Sequence, residues 1–331
     1  MKFRTEIRIR PFDPPIGHRT PILSLGSCFA ETIASRLAEA RFRVTANPIG
    51  VLFNPFSIAR TLRRFAAGEE VRRCELHPSH GLWFHYDFHG SFSGPSPETA
   101  LQAMNVASQA GHAALLRSEY VMATFGTAWV YERTDTGDAV ANCHRQPQAL
   151  FRRRLLEPEE IAAEWSELLA GPLAGKRVVL TVSPVRHLAD GLEGNSLSKS
   201  VLRLAAERIA GAFPTVRYFP AYEILLDDLR DYRFYGDDLV HPSAQAAAYI
   251  WEKFAEAALS PEARGLLPRI EAVVSTARHR PLHPEGGEFA ACCRRMLAEI
   301  EALAPIDLHE EKAYFLSLIH ISEPTRPEPI S

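Results

Sequence analysis

The chain is predicted to be an α/β protein in which a mainly parallel sheet is covered by helices on both faces, followed by a helical extension. Two observations lead there. Short apolar runs of strand length alternate with longer stretches of helical period between residues 21 and 258, the pattern of repeated βαβ units. The 331 residues are 46% hydrophobic and 23% charged with a formal net charge of −3, an ordinary globular composition with room for one large domain and an appendage.

The elements follow in order. Residues 1–20 are polar and proline-rich and read as a surface wrap. Residues 21–25 form a buried strand, and residues 30–40 a helix with Ile33, Leu37 and Ala40 at helical spacing. Residues 47–55 are a loop, because two Asn-Pro steps resist helix on their N-terminal side. Helix resumes over 57–65, whereas residues 74–96 show no clean period. Ser96-Pro97-Glu98 signals the start of a long helix to residue 116. Strands are expected at 120–125, 177–182 and 216–219, and helices at 158–169, 196–211 and 243–258, the last with Pro242 in a first-turn position.

This first domain spans residues 1–258. Residues 259–315 read as a helical extension, in which Phe289, Cys292, Met296, Ile300 and Leu303 form a stripe suited to the core or to a second copy in a homo-oligomer. Residues 316–331 look like a translated sequencing-adapter read-through and are set aside from fold reasoning, so the native C-terminus is expected to be missing.

In a parallel sheet ligands bind beyond the strands' C-terminal ends, and the chemistry-bearing residues converge there. The first strand runs into Gly26-Ser27-Cys28 and a helix start. Two nucleophile-capable side chains thus sit where helix N–H groups favour negative charge. Gly126, Ser183 and Asp238-Leu239-Val240-His241 fall at the same edge. Asp238 can bend back to His241 Nδ1, fix the tautomer and leave Nε2 for a hydroxyl or thiol. In isolation such a D-x-x-H is more often a turn and helix cap. Asn54 is read as an Asx turn before proline. His144-Arg145, Arg186-His187 and Lys199 could hold a planar oxyanion, although a salt-bridge network explains them as well. His77, His80, His85 and His89 are assigned to a lid or surface loop, with a metal site a distant second. Trp129, Tyr131, Tyr218 and Phe219 are assigned to the core.

Here the sequence resembles a family. Gly26-Ser27-Cys28-Phe29-Ala30 is similar to the namesake motif of the GSCFA-domain proteins, grouped among the SGNH/GDSL-like hydrolases. The resemblance runs over about residues 21–254. It includes Asn47-Pro48-Ile49-Gly50, Phe125-Gly126-Thr127-Ala128-Trp129, Asn142-Cys143-His144-Arg145, Ser183-Pro184-Val185-Arg186-His187, Asn195 with Ser198-Lys199, and Asp238-Leu239-Val240-His241. It implies a three-layer α/β/α sandwich and ester or acyl chemistry. A Gly-Asp-Ser pattern has its nucleophile third, so alignment on Gly26 selects Cys28, while alignment by residue type selects Ser27. Backbone register favours Cys28, whose pKa beside His241 at a helix N-terminus is expected to be lowered. The resemblance also implies an oxyanion hole of a backbone N–H, a glycine and an asparagine. Gly50 or Gly126 is the candidate glycine and Asn142 the leading asparagine. The usual Gly-x-Asn-Asp is replaced by Gly126-Thr127-Ala128-Trp129, so Thr127 is a further candidate.

The expected function is therefore acyl transfer by Cys28 or Ser27, with His241 as base and Asp238 as orienter, on a small-molecule or sugar-linked ester and without a cofactor. The rival is an inactive fold of the same kind that binds a carbohydrate or a protein. Short basic clusters such as Arg152-Arg153-Arg154, mixed with acids, read as solvated faces, and no nucleic-acid footprint is expected. Five scattered cysteines, no apolar leader and no long apolar run point to a soluble cytoplasmic protein without a membrane span.

Overall fold

The structure, a computed structural model, describes residues 4–279 and 287–322. In chain order the elements are β1 (Ile22–Gly26), α1 (Cys28–Glu39), β2 (Val44–Ala46), α2 (Pro55–Ala67), β3 (His77–Ser79), β4 (Leu82–Phe84), α3 (Pro97–Arg117), β5 (Tyr120–Phe125), β6 (Trp129–Arg133), β7 (Ala139–Val140), β8 (Phe151–Leu155), α4 (Pro158–Ala170), β9 (Arg177–Val182), α5 (Gly191–Ala212) and β10 (Val216–Tyr218). They continue with α6 (Ala221–Glu223), a wide helical turn at Ile224–Leu229, α7 (Ala244–Ala258), α8 (Pro261–Arg278), α9 (Gly287–Ala302) and α10 (His309–Ser322).

The central sheet has the order β10-β9-β5-β1-β2 and every pairing in it is parallel. Its strands alternate between two cores, as a period of two requires. Leu23, Leu25, Val121, Ala123, Phe125, Leu180 and Val182 pack on one face with Ile58 and Leu62 of α2, Met104 of α3, Trp165 of α4 and Leu202 of α5. Ile22, Tyr120, Met122 and Val179 face the other way, onto Phe29 and Ile33 of α1 and Ile250 and Phe254 of α7. Helices therefore cover both faces, and the body is the three-layer α/β/α arrangement that the alternation of elements predicts.

The sequence reading departs from this fold in several places. Residues 4–20 do more than wrap the surface. Phe12 and Ile16 are buried, and their N–H groups donate to Ala257 O and Ala258 O at the end of α7. Helix α5 begins at Gly191, earlier than residue 196, although Gly191 and Gly194 read as breakers. A three-stranded antiparallel sheet, β7-β6-β8, was not anticipated. Its strand β8 is Phe-Arg-Arg-Arg-Leu, too basic to read as a strand. Arg152 and Arg154 lie along it only because both clamp Glu132 of β6, which is buried between them.

The stripe on α9 packs against the extension itself. Cys293, Ile300 and Leu303 join Ile270, Val273 and Val274 of α8 and Phe315 of α10 in a separate cluster, with Phe289 and Met296 at its margin. Cys293, rather than Cys292, is the buried thiol. Residues 316–322 complete α10, and residues 323–331 of the presumed read-through lie outside the described residues. Among the described residues no helix is long and apolar enough to cross a membrane.

Candidate active site

The end of β1 is built so that Cys28 begins a helix. Gly26 has φ 138°, and a Cβ there would lie 2.3 Å from Thr124 O of β5, so only glycine fits. Its N–H donates to Asn47 Oδ1 at 2.9 Å, and its carbonyl accepts from Leu52 N–H at 2.9 Å. Asn47 in turn donates from Nδ2 to Glu31 on α1. Ser27 is the extended N-cap residue, yet its side chain caps nothing. Its Oγ is buried without a hydrogen-bond partner. Cys28 is the first residue of α1 and half-buried. Burial pushes its thiol up, and the N–H groups of Phe29 and Cys28, which draw it down, do not compensate. The lowered pKa expected from the helix N-terminus is thus corrected: desolvation outweighs the backbone donors.

The second loop folds around one carboxylate. Gly236 N–H donates to His241 O at 2.8 Å and Ser243 N–H to Phe234 O at 2.8 Å, which closes residues 234–243 into a narrow loop. Leu239 adopts φ 56° within it. Asp238 Oδ1 accepts from the N–H groups of Val240 and His241, at 2.9 and 3.0 Å. Its Oδ2 lies 2.6 Å from His241 Nδ1. The hydrogen bond to His241 and then the two N–H groups hold the Asp238 carboxyl down at about 2. With Nδ1–H donated to the carboxylate, Nε2 is the free acceptor, and it lies 3.6 Å from Cys28 Sγ. Both side chains of the pair are half-exposed, at 50% and 53%. Arg186 fastens the loop to the end of β9. Its N–H donates to Val240 O at 3.1 Å, its guanidinium to Leu239 O at 3.3 Å, and the guanidinium stacks on Tyr235 at 3.8 Å.

Cys28 opens onto a cleft of about 400 Å³ walled by Phe53, Trp129, Tyr131, Arg153 and Val185. Residues 21–254, well over half of the chain, match the family model described as the GSCFA family. The chain belongs to the GSCFA family. No curated protein matches it. The matched span contains Cys28, Asp238, His241 and every cleft residue named above, and leaves out α8, α9 and α10.

The remaining predicted residues of this GSCFA protein divide. Gly50 spends its N–H on Asn47 O at 2.8 Å and packs under His89. Gly126 and Thr127 line the cleft, but both N–H groups donate to Phe53 O, at 2.8 and 2.9 Å. Thr127 Oγ1 accepts from Trp129 N–H and contacts Ser198 Oγ. These three backbone groups are loop fasteners, and none is left over as an oxyanion donor. Asn142 lines the cleft, and its Oδ1 accepts from His144 N–H. His144 lies outside the cleft: its ring packs on Phe84 and its Nε2 meets His85 O at 2.9 Å. His187 lines the cleft, with Nδ1 2.9 Å from Asp190 Oδ2. Lys199 lies beneath it, buried, and donates to Gly126 O and Ser183 O. Asn54 caps α2 through Ser57 N–H, as its Asx-turn reading requires. Arg145, left-handed at φ 55°, lines the groove next to His144 rather than the Cys28 cleft.

Several contributors in the GSCFA protein escaped the sequence reading. Trp129 and Tyr131, assigned to the core, are cleft walls over which Arg153 stacks, at 4.3 and 5.7 Å. Arg153, read as part of a solvated face, pairs with Asp190 inside the cleft. His89, assigned to a lid or surface loop, lines the cleft, whereas His85 is buried beside Glu75. Among the described residues no three His, Cys, Asp or Glu side chains gather as metal ligands. Trp129 and Tyr131 share one face of β6 opposite the buried Val130 and Glu132, but the run Trp-Val-Tyr-Glu-Arg has no apolar–polar alternation to signal it. Arg153 carried no signal either, because its partner is 37 positions away in sequence.

Proposed function

We propose that this GSCFA protein is an acyl-transfer enzyme of the SGNH/GDSL-like kind, with Cys28 as nucleophile, His241 as general base and Asp238 as its orienter. The observation that carries this reading is the 3.6 Å approach of His241 Nε2 to Cys28 Sγ, with Asp238 bonded to Nδ1 behind it. Ser27 Oγ, 2% exposed as a residue and unpartnered, has no base within hydrogen-bond reach.

The reaction on an ester runs in two halves. His241 Nε2 takes the thiol proton while Sγ bonds to the carbonyl carbon. The tetrahedral adduct collapses, the ester C–O bond breaks, and His241 returns the proton to the leaving alcohol. Water or an acceptor hydroxyl then loses its proton to His241 and bonds to the thioester carbon. The C–S bond breaks, and the sulfur regains a proton from His241. Water as acceptor makes the protein a hydrolase; a sugar or other hydroxyl makes it an acyltransferase. Because burial keeps the resting thiol protonated, the base is needed to generate the nucleophile rather than merely to orient it. The N–H groups of Cys28 and Phe29 at the start of α1, with the Asn142 amide, are the donors offered to the developing oxyanion; each is expected to supply about 2–4 kcal/mol of transition-state stabilisation.

The test is hydrolysis of short-chain p-nitrophenyl esters by wild type, Cys28→Ala and Ser27→Ala. Turnover should vanish in the first variant and survive in the second; turnover that persists without the thiol would remove the proposal. A second reading, an inactive fold that binds a carbohydrate or protein, is favoured by one observation. The Gly50, Gly126 and Thr127 N–H groups are already spent on loop carbonyls. Complete inertness of Cys28 toward an electrophilic thiol probe would select it.

A further inference from the structure

The two sides of the Cys28 sulfur are unlike. His241 meets it from a loop where the imidazole is half-exposed, and His241 is not one of the cleft's wall residues. Cys28 itself belongs to the wall. A base that returns its proton to the leaving alcohol must have that alcohol on its own side. The alcohol therefore faces His241 and water, and the acyl group extends into the cleft.

What that group would meet is mainly hydrocarbon. Trp129 and Tyr131 stand on one face of β6, and Phe53 joins them from the loop before α2. Phe53 and Tyr131 are left 42% and 41% exposed. Large apolar side chains left in water beside a reactive group mark a place for a ligand's apolar part. The charges here are already matched. Arg153 stacks on Trp129 at 4.3 Å and pairs with Asp190, whose other oxygen holds His187 Nδ1 at 2.9 Å. Arg186 is committed to Leu239 O and to the Tyr235 ring. Neutral polar groups turn inward too. Asn54 bonds Ser57 N–H and Val140 O, and Ser183 Oγ accepts from Val185 N–H. The planar oxyanion read from sequence for Arg186 and His187 would find no free cation at either residue, and burying it unpaired is costly. The volume of about 400 Å³ lies in the usual range of small-molecule sites, ~300–1,000 Å³, and far exceeds an acetyl group.

We propose that the cleft is an acyl pocket that selects an uncharged, apolar acyl group of about four to eight carbons, with Phe53, Trp129 and Tyr131 setting the preference. This rests on the acyl-transfer reading with Cys28 as nucleophile. The chain lies against the three rings while the carbonyl carbon sits at Sγ and the ester oxygen faces His241. Holding the chain fixes the carbonyl against the sulfur, so each methylene buried raises kcat/KM.

The test is kcat/KM on p-nitrophenyl acetate, butanoate, hexanoate and hemisuccinate. In wild type it should rise about tenfold or more from acetate to hexanoate. The hemisuccinate, a butanoate-length acyl group ending in a carboxylate, should be at least about tenfold slower than butanoate. Trp129→Ala should shrink the rise to about threefold or less. A flat or falling series, a hemisuccinate as good as butanoate, or a full rise in Trp129→Ala would each overturn the proposal and leave acyl transfer standing. Should Trp129→Ala fail to fold, Phe53→Ala decides by the same criterion. If wild type turns over none of these esters, the acyl-transfer reading has failed, and the pocket is judged by labelling Cys28 with methyl and hexyl methanethiosulfonate. The hexyl reagent should then be favoured about tenfold at Cys28 relative to the exposed Cys74, with sites identified by peptide mass. Equal preference at the two thiols overturns the pocket as well.

Discussion

Two Asp–His pairs stand near Cys28, one lining its cleft and the other meeting its sulfur, and they are built almost alike. In each, a carboxylate and an imidazole three residues apart meet through Oδ2 and Nδ1, at 2.6 Å for Asp238–His241 and 2.9 Å for Asp190–His187. What surrounds them differs. His241 is half-exposed, and its Nε2 meets the Cys28 sulfur. His187 is largely buried, its Nε2 has no partner, and burial, with Lys199 and Arg153 adding to it, pushes it down to about 4. Asp190 divides its carboxylate, Oδ2 toward His187 and Oδ1 toward Arg153. The same local pairing therefore leaves an imidazole whose Nε2 meets a thiol in one place and a neutral ring in the other. Neighbours in space decide the role.

That contrast can be broken by substitution. His241→Ala should lower ester turnover by about 10³-fold, whereas His187→Ala should leave it within about threefold; equal losses would erase the distinction. Asp238→Asn keeps the size of the side chain and loses the charge that holds Nδ1–H, so turnover should fall by about 10²-fold. A value close to wild type would mean that the narrow loop alone orients the ring.

Stability sharpens the contrast from the other side. The folded-state pKa of His187 is depressed from 6.5 to about 4, so between these values the unfolded chain binds the proton first and stability falls as pH drops. The loss should be about 2 kcal/mol after allowance for partial exposure of the ring. His187→Gln should flatten Tm against pH across that window. The smallest effect is expected at Ser27→Ala. Removing a buried hydroxyl with no partner should leave activity within about twofold and stability within about 1 kcal/mol.

Much of the body was legible because each strand carries its own signal. The strands at 120–125 and 177–182 have the bounds read from their apolar runs, and Ser96 marks a helix start through a side-chain oxygen that bonds the next turn, whereas α2 starts at Pro55, inside the stretch read as loop. Strand β8 was not legible, since three arginines in a row read as surface until Glu132 is brought beside them. Among the site residues, Asp238 and His241 are close in sequence and could be read as a pair. Between Ser27 and Cys28, backbone register favoured Cys28 without deciding it, because adjacent side chains at a strand–helix junction point in different directions and only the folded backbone shows that Cys28 Sγ is the one beside His241.

The sequence by itself determined the alternation of strands and helices, the glycine turn at residue 26 and the types of side chain available at the sheet edge. These depend on local dihedral limits and on hydrophobic period. Tertiary structure alone decided that Gly126 and Thr127 spend their N–H groups on Phe53 O, that Arg153 pairs with Asp190, and that the Cys28 thiol is raised rather than lowered. Hydrogen-bond satisfaction and desolvation depend on which groups fold next to one another, and in this chain those groups come from segments tens to hundreds of residues apart.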